Sequence, residues 1–360
     1  MNSEAVPRVS VFMTTFNGAG LLRESIGSIL AQSFSDFELV VVDDCSTDET
    51  QAILADCDDP RLRIYRTPRN LGVAGARNFG VSRLRGAYIA ALDHDDLSAP
   101  ERLAIQVTHL DANPNVVLVG SAIHVTENGV LRRDDDHACP TPILARWMLH
   151  VDNPLTWSSV MLRASAIDRL GVFVRPEFEF ADDFDLYHRL VALGDIVRLE
   201  VPLTTYRHHA GNTSHAQREK LTNAAAAVLA RVYEPWFGAS TAEAAALGAR
   251  HLAGRESVGD TATLNRLGAV LERVLAGFCT DYAPDPATRA RIEAIAARLW
   301  WRHARGTIRA GNPLAIRGHR ARPRLRCGFK PAAHDLVESL ALGTLRSNAL
   351  ARRMLGPLRR

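Results

Sequence analysis

The chain has 360 residues, 47% of them apolar and 23% charged, with a formal net charge of +3. This is an ordinary globular balance that allows a sizeable core, as one large domain or as a catalytic domain with an appendage. No apolar run approaches the roughly 20 residues that cross a bilayer, the N-terminus does not read as a signal peptide, and the five scattered cysteines (Cys45, Cys57, Cys139, Cys279, Cys327) lack metal-ligand spacing, so free thiols in a reducing cytoplasm are expected.

In chain order, Val9 to Met13 reads as a buried strand ending in the polar loop Thr14-Thr15-Phe16-Asn17-Gly18. Leu22, Ile26, Ile29 and Leu30 mark one face of a helix. Phe37 to Val42 is a second buried strand ending in Asp43-Asp44. Ser46 and Glu49 form a capping box that predicts a short helix through Leu54. Leu62 to Tyr65 is a third strand. Asn70 to Asn78, NLGVAGARN, is a small-residue loop running into a helix. Tyr88 to Leu92 is an almost uninterrupted apolar run, as in a central strand covered on both faces. It ends abruptly in Asp93-His94-Asp95-Asp96, and Ser98 with Glu101 predicts a second capping box, with Pro100 in the first helical turn. This alternation predicts a parallel sheet with helices on both faces.

After Pro114 the pattern changes. Val116 to Val119 is a strand; Ile123 to Val125 and Val130 to Leu131 flank Asn128-Gly129, a hairpin signal. Thr156 to Leu162 is a strand candidate and Ala164 to Leu170 a short helix. Asp182, Asp183 and Asp185 open a helix carrying Leu186, Leu190 and Leu193, where acids complement the helix dipole. Short strands follow at Ile196 to Leu199 and Leu203 to Tyr206, then Arg207-His208-His209. From about Ser214 the chain is Ala-, Leu- and Arg-rich. Helices are expected over Ala224 to Val232, Ala242 to Leu252, Leu264 to Leu275 and Thr288 to Trp301, then an exposed basic connection over 316–331 and an amphipathic segment from Asp335 to Leu355.

Three strand ends therefore carry polar residues that can share one cleft: Thr14 to Asn17, Asp43-Asp44 and Asp93 to Asp96. In open α/β sheets ligands bind at the carboxyl ends of the strands. Three acids in four residues repel one another and need a cation. Hard divalent ions take carboxylate oxygens together with substrate phosphates, which makes Asp95 and Asp93 candidate Mg2+ or Mn2+ ligands. A solvated acidic turn capping a helix is the alternative from these residues alone. Phe16 offers a face to a base, a carboxylate can accept from a base or ribose, and Arg77 adds charge for phosphates or a contact to the base. Neither a Walker loop nor the Rossmann glycine fingerprint is present.

The segment VSVFMTTFNGAGLLRESIGSILAQSFSDFELVVVDDCSTDET, then NLGVAGARNFG, AALDHDDLSAPERL, FADDFDLYHRL and YRHHAGNTS, resembles the ordered motifs of family 2 glycosyltransferases. The resemblance covers about residues 7 to 215. It implies the GT-A fold, a nucleotide-diphospho-sugar transferase of Rossmann-like, mostly parallel sheet with helices on both faces. The expected domains are 1–215, catalytic, and 216–360, a mainly α-helical, Arg-rich region for oligomerisation, acceptor or membrane contact. Carried over, the resemblance puts Thr14, Phe16 and Asp44 at the nucleoside, with Asp44 on the base. It puts Asp93 at the ribose near the metal, Asp95 on the metal and Asp183 as catalytic base. His209 becomes an extra metal or diphosphate contact, with a polar residue on an exposed loop as the alternative. Two residues depart from the family pattern: Phe16 stands for the more usual tyrosine, and Asp182 for the usual glutamate.

The implied reaction is inverting transfer from a nucleotide-sugar donor, UDP expected, to a hydroxyl of a glycan or lipid-linked acceptor in cell-surface polysaccharide synthesis. One displacement, with Asp183 taking the acceptor proton, needs no covalent intermediate. A non-catalytic sugar-nucleotide-binding scaffold is the alternative. A nucleotidyltransferase would need a basic Gly-rich loop after the first strand, but Thr14 to Gly20 holds no Arg or Lys. Residues 301–360 carry fourteen Lys/Arg and two Asp/Glu, leaving 29 basic and 38 acidic residues in the first 300. A tail so basic suits an anionic surface, or else a solvated or oligomer-facing helical region. It lacks interleaved aromatics and any recognised module, so no nucleic-acid partner is expected. The expected location is the cytoplasm, peripheral on the inner membrane face.

Overall fold

The structure is a computed structural model and describes residues 6–127, 130–133, 139, 141–209 and 217–347. The chain forms two compact units, Met1–Leu149 with Asn153–Ala224 and His150–Asp152 with Ala225–Arg360. The division expected after residue 215 falls outside the described residues.

The first unit is built on a mixed nine-stranded sheet. β1 (Val9–Thr15), β2 (Phe37–Asp43), β3 (Leu62–Arg66) and β4 (Tyr88–Ala91) are mutually parallel, in the order β3-β2-β1-β4. Every residue of β2 and β4 is buried, as their apolar runs require of strands covered on both faces. The covering helices are α1 (Ala19–Leu30), α2 (Thr50–Ala55), α3 (Gly72–Val81) and α4 (Arg102–Ala112). Leu22, Ile26 and Ile29 of α1 and Leu103, Val107 and Leu110 of α4 join one core with Val11, Met13, Leu39 and Val41. The chain runs outward from β1 to β3, then returns to lay β4 on the other side of β1. The strand order reverses there, and the carboxyl ends of β1 and β4 open a crevice.

Beyond β4 the sheet continues through β8 (Met161–Arg163), β6 (Val116–Glu127), β9 (Asp195–Arg207) and β5 (Leu97–Ser98), while β7 (Val130–Arg133) pairs with β6. The Val130–Leu131 arm pairs antiparallel as the hairpin signal implied; the Asn128-Gly129 turn lies outside the described residues. β4 and β5 sit at separate places in the strand order, yet only residues 92–96 join them, with Asp96 N–H donating back to Asp93 O. The sheet is therefore curled, and the acidic turn spans the curl.

Several expectations are corrected. Neither capping box forms. α2 begins only at Thr50, because Ser46 Oγ accepts from Asn17 N–H at 2.9 Å. α4 begins only at Arg102, because Ser98 is bridged to Thr204 in β9 and its Oγ accepts from Gln32. The 70–78 loop is already helical from Gly72, whose φ of 74° suits glycine. Residues 156–162 hold a 3₁₀ turn (Trp157–Ser159) before β8. The two short strands after residue 195 are one strand, β9, whose pairing with β6 shifts register around Ser121 and Ala122 and so accommodates Pro202. α5 (Pro142–Leu149) was not expected; α6 (Ala164–Asp168) and α7 (Asp182–Leu190) were.

The second unit is helical. α8 (Arg218–Phe237) leads into it, followed by α9 (Thr241–Leu247), which continues as a π-helical turn (Gly248–Ala253). α10 (Thr261–Tyr282) is capped by Asp260, and α11 (Pro286–Arg309) by Asp285 with Pro286 at its first position. Leu264, Leu267, Leu271, Val274 and Phe278 of α10 are buried at helical spacing, as are Ile292, Ala296, Trp300, Ala304 and Ile308 of α11. The basic stretch expected as an exposed connection contains α12 (Ala315–Arg320) and a 3₁₀ turn (Pro323–Arg326). Ala315, His319 and Leu325 are buried there while Arg317, Arg320 and Arg324 stay outside, and the half-buried Arg322 pairs with Glu272. α13 (Ala333–Ser347) packs on α11 through Ser339 and Gly343; a Cβ on Gly343 would stand 2.3 Å from Ile308 O. The remainder of the segment expected to reach Leu355 lies outside the described residues.

Candidate functional site

The polar loops after β1, β2 and β4 meet at the crevice. After β1 the backbone turns at Asn17, with a φ of 50°, and Phe16 is left 46% exposed. Asn17 Oδ1 accepts from Thr47 N–H at 2.8 Å, and Gly18 N–H donates to Thr50 Oγ at 3.0 Å, tying this loop to the one after β2. Gly18 also has to be glycine: a Cβ there would lie 2.4 Å from the His94 ring and 2.5 Å from Thr15 Oγ1.

Asp43 and Asp44 end β2 and are both buried. Asp43 accepts from Ser46 N–H and Gln51. The Asp44 carboxylate accepts from Thr67 Oγ at 2.7 Å and from the N–H groups of Leu71 and Gly72 at 2.9 Å, which fixes the entry to α3. From α3, Arg77 reaches the acids. Its Nη1 donates to Asp182 at 2.7 Å and its Nη2 to Asp93 at 3.3 Å, while the guanidinium lies 4.1 Å from the Trp157 ring centre. Burial works against the Arg77 charge, but Asp182, Asp93 and Asp183 outweigh it and raise its pKa above the ordinary value.

In the turn after β4, oxygens of Asp93, Asp95 and Asp96 lie within 4.8 Å of one another. Burial raises the Asp93 pKa, opposed by Arg77 and reinforced by Asp95; burial, then Asp95 and Asp93, raise that of Asp96 well above the ordinary range. Asp96 accepts from Arg207 N–H at 3.0 Å, and its second oxygen is buried with no partner among the described residues. His209 Nε2 lies 3.0 Å from Asp95 Oδ2. Arg207 holds the turn from behind: its guanidinium donates to Asp95 O, to Glu24, and to Ser25 Oγ at 2.8 Å. This donor set fits a hard divalent cation: crowded carboxylate oxygens whose mutual repulsion such an ion would relieve.

Asp183 stands in the first turn of α7, between Asp182 and Phe184. Its Oδ1 accepts from Phe184 N–H at 2.7 Å and its Oδ2 from Asn153 Nδ2 at 3.1 Å. Burial and then Asp182 push its pKa up to about 7, against Arg77, the Phe184 N–H and Asn153. A carboxylate poised there can take up and release a proton near neutral pH.

The structure thus brings Asp93, Asp95, Asp96 and His209 together and ties Asp182, beside Asp183, to Asp93 through Arg77. Thr14 and Phe16 stand at the end of β1, and Asp44 anchors the loop before α3. Trp157, Asn153, Arg207 and the unpartnered oxygen of Asp96 are the contributions that sequence reasoning missed. No local pattern marks Trp157 or Asn153, because their partners are 80 and 30 residues away. The Arg207 position, directly before the His208-His209 pair at the end of a strand, was a usable signal.

The sequence pattern of glycosyl transferase family 2 matches residues 10–171. The putative glycosyltransferase EpsE of Bacillus subtilis is 37% identical over 194 residues, covering 52% of this chain and 68% of EpsE. The succinoglycan biosynthesis protein ExoO of Rhizobium meliloti is 43% identical over 109 residues, covering 30% of this chain and 31% of ExoO. Among solved structures, S. aureus TarS 1-349 in complex with UDP-GlcNAc superposes with a TM-score of 0.54 at 16% identity, covering 93% of this chain and 90% of that one; this likeness concerns the fold, which is the GT-A glycosyltransferase fold.

Proposed function

The chain belongs to glycosyl transferase family 2, and from that premise we propose that it is an inverting transferase. It moves a sugar from a nucleoside-diphosphate donor, a UDP-sugar, to a hydroxyl of a glycan or lipid-linked acceptor in polysaccharide synthesis. The observation that carries this reading is the Arg77 bridge. One buried cation joins the acid row after β4, through Asp93, to Asp182 at the head of α7, so the metal-binding and proton-accepting carboxylates belong to one electrostatic unit. The UDP donor follows the UDP-GlcNAc complex of TarS, and the polysaccharide role follows the name of ExoO. A cytoplasmic location is in keeping with five free cysteines.

In this reading Thr14 and Phe16 receive the nucleoside. Asp44 contacts the base, its carboxylate oriented by Thr67 and the Leu71–Gly72 backbone. Asp93 lies at the ribose and, with Asp95 and His209, holds Mn2+ or Mg2+. That cation, when bound, supplies positive charge to the departing diphosphate. Arg77 positions Asp93 against α7 and opposes the burial that raises its pKa. Asp183, steadied by Asn153, accepts the proton of the acceptor hydroxyl as that oxygen attacks the anomeric carbon from the face opposite the diphosphate; the C–O bond to the diphosphate breaks, and the configuration inverts.

The test is release of nucleoside diphosphate from UDP-, GDP- and dTDP-sugars with Mn2+ and an acceptor panel, followed by assignment of the product anomer by NMR. Transfer with inversion, lost in Asp183→Asn, is expected. A retained configuration, or full activity of Asp183→Asn, would overturn the reading.

A further inference from the structure

In α13 only small residues reach full burial; Leu336, Leu340 and Leu342 are half-buried, and His334, Glu338 and Thr344 are exposed. Ser339 and Gly343 are buried against α11, whereas Val337 is 66% and Leu345 48% exposed. With the exposed Ala341 between them, these residues form a stripe at a spacing of four, about 12 Å long. The Gly311 backbone lies against Arg346 at the end of α13. Leu314, 62% exposed, follows three residues later and so within about 11 Å of Gly311.

The same region is rich in unneutralised positive charge. Arg317, Arg320, Arg324, Arg326 and Lys330 are exposed, and none has an ion-pair partner among the described residues. The only acids in residues 301–360, Asp335 and Glu338, pair with Arg305 and Arg309 inside the unit.

We infer that the outward face of α13, with the basic segment of residues 317–330, docks this protein on an anionic lipid bilayer. An exposed apolar stripe accompanied by cations is the composition of a surface that lies in a membrane interface, the stripe entering the head-group boundary and the cations meeting lipid phosphates. Charge decides against the other occupants. A second copy of the chain would set the same cations against this face, and like-charge juxtaposition disfavours a complex. A nucleic acid would satisfy the cations but leave Val337 and Leu345 without an apolar counterpart. No described helix is long and apolar enough to cross a membrane. This inference stands apart from the catalytic reading, since binding to lipid requires neither donor nor acceptor.

The experiment is co-sedimentation of the full chain with phosphatidylcholine vesicles, with and without phosphatidylglycerol, at low and high salt. Binding is expected only to vesicles containing phosphatidylglycerol, and it should fade as salt rises. Two double variants, Val337→Glu/Leu345→Glu and Arg324→Glu/Arg326→Glu, should each bind at least about tenfold more weakly with an unchanged melting temperature. All four positions are exposed, so the fold should tolerate them. Absence of binding at low salt, wild-type binding by both variants, or a dimer in light scattering that Val337→Glu/Leu345→Glu dissociates would overturn the proposal.

Discussion

Replacing Arg77 with methionine keeps an apolar body against Trp157 and removes the one charge that Asp182 and Asp93 share at 2.7 and 3.3 Å. At an effective dielectric constant of about 20, two unit charges about 4 Å apart attract by about 4 kcal/mol. Asp182 is buried and Asp93 only partly exposed, so water replaces little of that attraction. Breaking a buried pair costs about 3–5 kcal/mol. The acids can escape by taking protons, at about 1.4 kcal/mol for each pH unit above the ordinary carboxylate pKa. That comes to about 5 kcal/mol at pH 7.5 but about 2 kcal/mol at pH 5.5 for a carboxylate of pKa near 3.9. The folded variant therefore binds more protons than the wild type, and its deficit shrinks as the pH falls. Urea unfolding of both proteins at the two pH values should give a loss of about 3–5 kcal/mol at pH 7.5, with about 1–3 kcal/mol of it recovered at pH 5.5. A loss equal at both values would mean that packing, not charge, is the cause, and a loss below about 1 kcal/mol at both would refute the electrostatic account outright.

Further outcomes are expected. Asp183→Asn should lower kcat by about 10²–10⁴-fold while leaving donor-induced thermal stabilisation intact, since only the proton acceptor is removed. Because Asp183 is pushed up to about 7 and must be ionised to act, kcat/KM should rise with pH through about 7 and then level. Asn153→Ala removes a hydrogen bond to the ionised form and should move that rise to higher pH; a profile flat from about pH 5.5 to 8 would contradict the assignment. The same raised pKa means that Asp183 adds to fold stability in acid, and this contribution is lost as pH rises through about 7. Asp95→Ala should abolish any Mn2+-dependent shift in melting temperature with UDP while preserving the melting temperature of the protein alone.

The parallel half of the sheet was legible because its signal is local: largely apolar runs in β1, β2 and β4, the last two followed by acids, and Leu22, Ile26 and Ile29 at helical spacing. The capping boxes misled because a serine near a helix start is only a donor and acceptor for hire. Asn17 engaged Ser46 and Gln32 engaged Ser98, both from distant parts of the chain, before any helix end could. β9 read as two strands because Pro202 cannot donate a ladder hydrogen bond, and the shifts in its pairing with β6 are visible only with the partner in place. The acids of the site were legible as residue types. Their grouping was not, because Arg77 and Asp182 are 105 residues apart and only the fold brings them together.

The curl of the sheet gives the acidic turn a mechanical office as well as a chemical one. The five residues 92–96 are the clasp between the middle of the sheet and its far edge, and Asp96 is the pin, accepting from Arg207 N–H at the end of β9. A substitution there would loosen a fastening and remove a donor oxygen in the same stroke. Asp95 partly separates the two offices: its backbone carbonyl meets Arg207, a tie that a change of side chain leaves in place, while its carboxylate carries the contact to His209 and decides what the clasp can hold.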